Sequence, residues 1–365
     1  MRRETNWKTG GRDVSQIPGN GGAVQSVLRW YDEEGRDLPW RQDPRTPYRL
    51  LIAEAMLQQT RAETVAPRYE VFLQRFPDLQ ALAAAPQDEV LRSWEGLGYY
   101  ARARNLQRLA QMLTAQGGGL PADRAALIGL PGVGEYIASA LRSFAFGIPD
   151  PPLDANLRRI ALRYAGIPGD PLDAASGAAA RKLLADWFQM ASPAQLGDAL
   201  MDLGARVCTA RRPDCAVCPL QEGCAAVASG APEEFGVRRP KAAPRTRRIL
   251  AAQIVSPQGQ AWRPRPAKGM LGGLWEPPHV LSEEDAPSLD DLRAQLAQWG
   301  VESAEPAGER WPLKHVFTHQ VWEGEVIRFV VQAGPLVPPA RWLDARSIAQ
   351  IAVPRAFRTV LAGGK

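Results

Sequence analysis

All four cysteines of this chain fall between Cys208 and Cys224, spaced C-x6-C-x2-C-x5-C, and no other cysteine exists to pair with them. Two disulfides inside so short a loop do not suit a reducing compartment, and four core cysteines this close together would be odder still. The thiols therefore read as metal ligands. Zinc sites of four thiolates usually show two short C-x2-C knuckles, whereas here there is one. The wider loops favour a 4Fe-4S cluster on Cys208, Cys215, Cys218 and Cys224, with zinc as the rival. Arg206, Arg211 and Arg212 give the loop a basic face, which suits phosphate but also suits an ordinary solvated loop.

At 365 residues the chain is too long for one ordinary core, so two domains are expected. A formal net charge of +5 raises the expectation of a polyanionic partner only modestly. The first twenty residues carry Arg2, Arg3, Lys8 and Arg12 without an apolar core segment, and no later apolar run is long enough to span a bilayer. The expected location is the cytoplasm.

Residues 1–22 are polar and glycine-rich and read as a flexible tail. From 23 to 228 the texture is one of helical-period apolar segments broken by Pro and Gly: Pro47–Phe76, Gln87–Trp94, Arg102–Thr114, Ala155–Ala165 and Gly177–Met190. This half is predicted to be all-α. Residues 229–248, rich in Pro, Arg and Lys, read as an interdomain linker. In 249–365, Ile249–Val255, Ile327–Val331 and Arg341–Asp344 read as strands and Leu289–Trp299 as a helix, so the second domain is predicted to be α+β.

Leu127–Leu141 joins two apolar segments through Leu130-Pro131-Gly132-Val133-Gly134, which reads as a helix-hairpin-helix. Its glycines leave backbone amides uncovered at the start of the second helix, where a phosphate can bind without sequence being read. An ordinary turn between packed helices would tolerate many other sequences.

Two carboxylates stand in contrasting settings. Glu54 lies within the largely apolar helix Leu50–Thr60, where burial would raise its pKa and keep it protonated as a general acid, although a Glu on the solvent face of an amphipathic helix is the commoner reading of such a position taken alone. Asp154 precedes Ala155-Asn156-Leu157 as an N-cap, a placement that stabilises the anion. One neutral acid and one anion are what cleavage of a glycosidic bond through an oxocarbenium-like state requires.

These elements occur together, in order, in the helix-hairpin-helix superfamily of DNA glycosylases, and the chain most closely resembles its MutY-type adenine DNA glycosylases. LPWR (Leu38–Arg41), EAMLQQT (Glu54–Thr60), GLGYYARARN (Gly96–Asn105), LPGVG, LDAN, MDLGARVC (Met201–Cys208) and the four cysteines carry the resemblance. It implies that Glu54 protonates adenine and helps position water, that Asp154 stabilises the oxocarbenium, that Asn156 supports the site and that Tyr136 orients the Asp. Trp40, Arg41, Leu57 and Asp202 would line the adenine pocket. Gln59 and Tyr99 would wedge into the base stack, with Thr60, Gly132, Val133 and Gly134 also on the DNA. The endonuclease III type carries a Schiff-base lysine where this chain has Tyr136, so a monofunctional hydrolase with little or no lyase activity is implied.

The C-terminal part resembles the family's nudix-like module, most clearly in KGMLGGLWEPP (Lys268–Pro278), without the glutamate-rich box that binds magnesium in nudix hydrolases. Phe317-Thr318-His319 matches a Phe-Ser-His loop that contacts 8-oxoguanine opposite the adenine. The implied partner is duplex DNA with 8-oxoguanine:adenine or guanine:adenine mispairs, bound by a monomer. Ala155 replaces a frequent Gly and Arg158 a frequent Lys. His315 and His319 lack further ligands nearby in sequence and are not expected to bind metal.

Overall fold

A computed structural model describes residues 20–236, 244–302 and 304–363. The first half is helical throughout: α1 (Asn20–Glu34), α2 (Pro47–Leu57), α3 (Ala62–Arg75), α4 (Leu79–Ala84), α5 (Gln87–Ser93), α6 (Ala101–Ala115), α7 (Arg124–Ile128), α8 (Glu135–Phe144), α9 (Ala155–Ala165), α10 (Ala174–Phe188), α11 (Pro193–Arg206) and α12 (Ala225–Ala228). Local chemistry sets several starts. Thr46 accepts from the amide of Arg49 ahead of Pro47, and Asp78, Asp123 and Asp154 cap α4, α7 and α9 in the same way. The apolar segment read as Pro47–Phe76 is two helices, α2 and α3. The chain turns between them with Gln59 in the left-handed region at φ 59°.

The chain divides into two compact units, one of residues 1–74 with 109–240 and one of 75–108 with 241–365. One division, between 240 and 241, falls inside the stretch expected as linker, and the departure from the expected division is confined to residues 75–108. Residues 75–108 group with the C-terminal part, where Arg92 donates to Gln350 at 2.8 Å and Arg104 to the Gly272 carbonyl. Of the stretch expected as linker, 237–243 lie outside the described residues. Phe235 on one side is buried and accepts a bond from Arg163, and the first strand already begins at Arg245 on the other. Of the expected N-terminal tail, residues 1–19 lie outside the described residues, and α1 begins at Asn20.

The core of the first unit gathers α1, α9, α10 and α11 around Leu157, Leu162, Leu183, Trp187 and Leu200, all fully excluded from solvent. Tyr164 meets Trp187 edge to face at 5.1 Å. Each such side chain contributes about 1.5–3 kcal/mol by leaving water.

The second unit holds a seven-stranded sheet of β1 (Arg245–Ser256), β2 (Gly259–Pro264), β3 (Trp275–Glu276), β4 (His279–Ser282), β5 (Pro306–Val316), β6 (Gln320–Val330) and β7 (Arg341–Leu343). Its main path runs β3-β2-β1-β6-β5, with β4 on β1 and β7 on β2. β1 and β6 pair in parallel from Arg245 opposite Gln320 to Val255 opposite Val330. One side of the sheet packs on α13 (Leu289–Gln298) and Trp299, and the other on Trp262, Trp322 and Phe357. The three strands and the helix expected from sequence are present. No described helix is long and apolar enough to cross a membrane.

Candidate active site

A cavity of about 590 Å³ in the first unit is lined by residues from α2, α8, α11 and the turn before α9, among them Glu54, Tyr136, Asp154 and Asn156. α2 has no solvent face at its centre, since Leu50 through Met56 are all buried, so Glu54 goes in with them at 5 % exposure. Burial pushes its carboxyl up to about 7. The Tyr136 hydroxyl, bonded to it, and Arg45 pull the other way, while Asp198 and Asp154 add to the rise. Its Oε2 has no protein partner. Tyr136 thus pairs with Glu54 and also feels the charge of Asp154.

Asp154 caps α9 as expected, its Oδ1 accepting from the Leu157 amide at 2.7 Å. Its carboxyl is nevertheless raised, to about 6, rather than lowered. Burial outweighs the donors of the helix start, Arg159 and the Asn156 side chain. At neutral pH the anion still prevails. Behind it runs a continuous set of bonds: Arg159 donates to Asn156 Oδ1 at 2.7 Å, to the Gly204 carbonyl at 2.8 Å and to the Cys208 carbonyl at 2.7 Å. Gly204 makes room for Asn156, because a Cβ there would sit 2.5 Å from the Asn156 Cβ.

Of the other residues expected in this pocket, Trp40, Arg41 and Leu57 line the cavity, as does Thr60, which was expected on the DNA. Trp40 rides on the 3-10 turn Pro39–Arg41 and meets Tyr69 edge to face at 5.7 Å. Asp202 does not line it. Fully buried, it accepts from Arg36 and Arg41 at 2.8 and 2.9 Å, and those bonds hold its carboxyl below the ordinary range although burial alone would raise it. One turn earlier on α11, Asp198 does line the cavity and pairs with Arg45 at 2.8 Å and Arg41 at 3.2 Å. Arg36, Arg45 and Asp198 were missed from sequence. The four-residue spacing of Asp198 and Asp202, which puts both on one helix face, was the available signal.

The hairpin expected from LPGVG lies between α7 and α8. Gly132 sits at φ 81°, where a side chain is strained. Gly134 caps α8 at an ordinary φ of −96°, and a Cβ on it would meet nothing within 4 Å. Packing does not require that glycine, and its lack of a side chain leaves the amides of the first turn of α8 uncovered. Gln59 is exposed at the α2–α3 turn of the first unit, outside the cavity lining.

A cavity of about 560 Å³ in the second unit is lined by Tyr99, Leu271, Phe317, Thr318 and His319 with their neighbours. The hydroxyls of Tyr99 and Thr318 are in hydrogen-bond contact. Phe317 lies edge-on between His315 and Trp322, at 4.5 and 4.9 Å. Among the described residues, the non-glycine positions with positive φ are Gln59, Tyr99 and Leu271, so the strained backbone falls on the two expected wedges and on the wall of this cavity.

Cys208 follows α11, Cys215 opens a 3-10 turn, and Cys224 caps α12. All four thiols are free. Among the described residues no three His, Cys, Asp or Glu side chains close on a single ion. The four sulfurs still bear on one another. Burial pushes the Cys218 thiol up to about 12, and Cys208, Cys224 and Cys215 all add to the rise. Four thiols gathered in one loop and bearing on one another's charge suit an iron-sulfur cluster, whose cationic core would offset that charge. Arg163, only 2 % exposed, donates to Cys208 Sγ at 3.4 Å and to the Thr209 carbonyl at 2.6 Å.

Comparison with known proteins agrees with this arrangement. Residues 52–186 match the family described as HhH-GPD superfamily base excision DNA repair protein, residues 208–224 the iron-sulfur binding domain of endonuclease III, and residues 251–363 a NUDIX domain. The adenine DNA glycosylase of Rattus norvegicus is 31% identical over 394 residues, 92% of this chain and 76% of that protein. The human adenine DNA glycosylase is 32% identical over 418 residues, 96% of this chain and 74% of its own. Among solved structures, a thermostable thymine-DNA glycosylase superposes with a TM-score of 0.53 at 29% identity, covering 57% of this chain and 97% of that one.

Proposed function

Since the chain belongs to the adenine DNA glycosylase family of base excision repair enzymes, we propose that it removes adenine paired with 8-oxoguanine or guanine, and does so by hydrolysis alone. The observation that carries the reading is that Glu54 and Asp154 line one cavity large enough for a nucleobase. With adenine flipped into it, protonated Glu54 gives its proton to the imidazole ring, and the bond between the base nitrogen and the sugar carbon breaks with its electrons leaving on the base. The Asp154 anion stabilises the sugar cation. Water then adds to the sugar and its proton returns to Glu54, leaving an abasic site and free adenine. Tyr136 and Asn156 hold the two carboxyls, and Trp40, Arg41 and Leu57 shape the base pocket.

Absence of lyase chemistry is supported by the site's lack of an amine. Tyr136 stands at the lysine position, and Arg158 is turned to the carbonyls of Pro171 and Leu153 at 2.9 and 3.3 Å. Gly132, Val133 and Gly134 would hold a backbone phosphate, Gln59 and Tyr99 would fill the vacated stack, and Phe317, Thr318 and His319 would receive 8-oxoguanine. Cys208, Cys215, Cys218 and Cys224 would hold the 4Fe-4S cluster, which would tie α11 to α12. The working form proposed is a cytoplasmic monomer on duplex DNA. Single-turnover excision on the two mispairs, followed by borohydride treatment, tests all of this. Adenine release without a covalent protein–DNA adduct is expected, and a trapped adduct would rule out the hydrolytic assignment.

A further inference from the structure

We propose that Glu276 and Arg265 form a positioning pair that shapes the second-unit cavity and so sets the preference for oxidised over plain guanine, an inference that rests on the reading of that cavity as the lesion-side subsite. The wall in question is the loop between β2 and β3. It turns through Gly269 at φ 92°, Leu271 at 56° and Gly273 at 72°. A leucine does not hold that conformation unaided, so the surrounding structure must impose it.

Backbone bonds close the base of the loop, Arg265 donating to Leu274 at 2.8 Å and Gly273 to Pro266 at 3.1 Å. The tip is held by side chains. Arg265 donates to the Met270 carbonyl at 3.2 Å while its other end is paired with Glu276. Glu276 is 3 % exposed and also accepts from Arg263 at 2.8 Å, whose guanidinium lies 4.7 Å over the Trp299 ring. From the other side, Gln320, directly after His319, contacts Met270 Sδ at 2.6 Å, and Arg104 donates to the Gly272 carbonyl. The loop is thereby tied to the two segments that carry Thr318 and Tyr99. Neither Arg265 nor Glu276 lines the cavity, so both act through the loop.

The test is single-turnover excision, with separate measurement of duplex affinity, on 8-oxoguanine:adenine and guanine:adenine for the full chain, Glu276→Gln, Arg265→Lys and Thr318→Ala. Glu276→Gln is expected to lower the lesion preference about tenfold, through weaker binding of the lesion duplex, with the saturated rate on guanine:adenine within about twofold of the parent. Arg265→Lys keeps the charge but cannot reach both partners, so a smaller loss of the same kind is expected. It decides the matter if Glu276→Gln fails to fold. Equal losses on both duplexes would mean a merely structural role and would overturn the proposal. A preference that changes in Thr318→Ala but in neither clamp variant would overturn the clamp and leave the cavity reading standing. A preference unmoved in all three would remove the cavity reading and the clamp together.

Discussion

The Tyr136 hydroxyl bonds the carboxylate of Glu54, while Asp154 raises both of them through its charge. The proton that leaves Glu54 is thus poised by a neighbour on α8 and by an anion at the start of α9. Because these groups titrate together, the observed pH limbs belong to the cluster as a whole.

Excision should peak in a narrow window. Glu54 must carry its proton, which it loses as pH rises through about 7, and Asp154 must be ionised, which it ceases to be as pH falls through about 6. A single-turnover pH profile should therefore be bell-shaped between those values. A flat profile from pH 5 to 9 would contradict both assignments.

Glu54→Gln should abolish excision and stabilise the fold at high pH. A folded carboxyl raised from 4.5 to about 7 is at no disadvantage below its unfolded value, and stability is lost as pH rises through the folded one. The neutral amide escapes that loss, so the variant should gain up to about 3 kcal/mol at pH 8 and nothing at pH 4. Denaturant titrations at the two pH values measure the difference.

Tyr136→Phe removes the hydrogen bond that favours ionised Glu54, so the alkaline limb should move to higher pH. The maximal rate should fall roughly tenfold as the acid is held less well. A lower rate with an unmoved limb would point to a packing role only.

The hairpin glycines should separate in their effects. Gly134→Ala, in open space at an ordinary φ, should leave stability within about 0.5 kcal/mol of the parent and weaken duplex binding about tenfold by covering the amides. Gly132→Ala should also cost about 1–2 kcal/mol of stability, since its φ of 81° is left-handed. Melting curves and binding isotherms on the same samples distinguish the two.

Purified protein should be coloured and contain about four irons per chain. Cys208→Ser should lose the visible absorption and free Arg163 from its sulfur partner. A colourless protein with one zinc would reverse the assignment.

Much of the site was written locally. The cysteine spacing, the glycine hairpin and the Asp154 cap are each short-range patterns, and the structure has the hairpin between α7 and α8 and Asp154 as the cap of α9. Glu54 was legible only in part, since its neighbours are apolar but a solvent-facing acid on an amphipathic helix fits the same pattern until packing buries Leu50 through Met56. What could not be read is the balance of opposing effects at Asp154, where the cap favours the anion and burial disfavours it. The inward turn of Asp202, away from the cavity and onto Arg36 and Arg41, was equally hidden.

The chain by itself determined the types of element, the cysteine spacing and the candidate pair of acids, because these follow from side-chain chemistry and spacing within one or two helical turns. Only tertiary structure decided which acids share a cavity, that Asp198 rather than Asp202 reaches it, that residues 75–108 group with the C-terminal unit, and how high the Asp154 pKa rises. Those outcomes depend on burial and on charges from residues distant in sequence, and neither exists until the chain has packed.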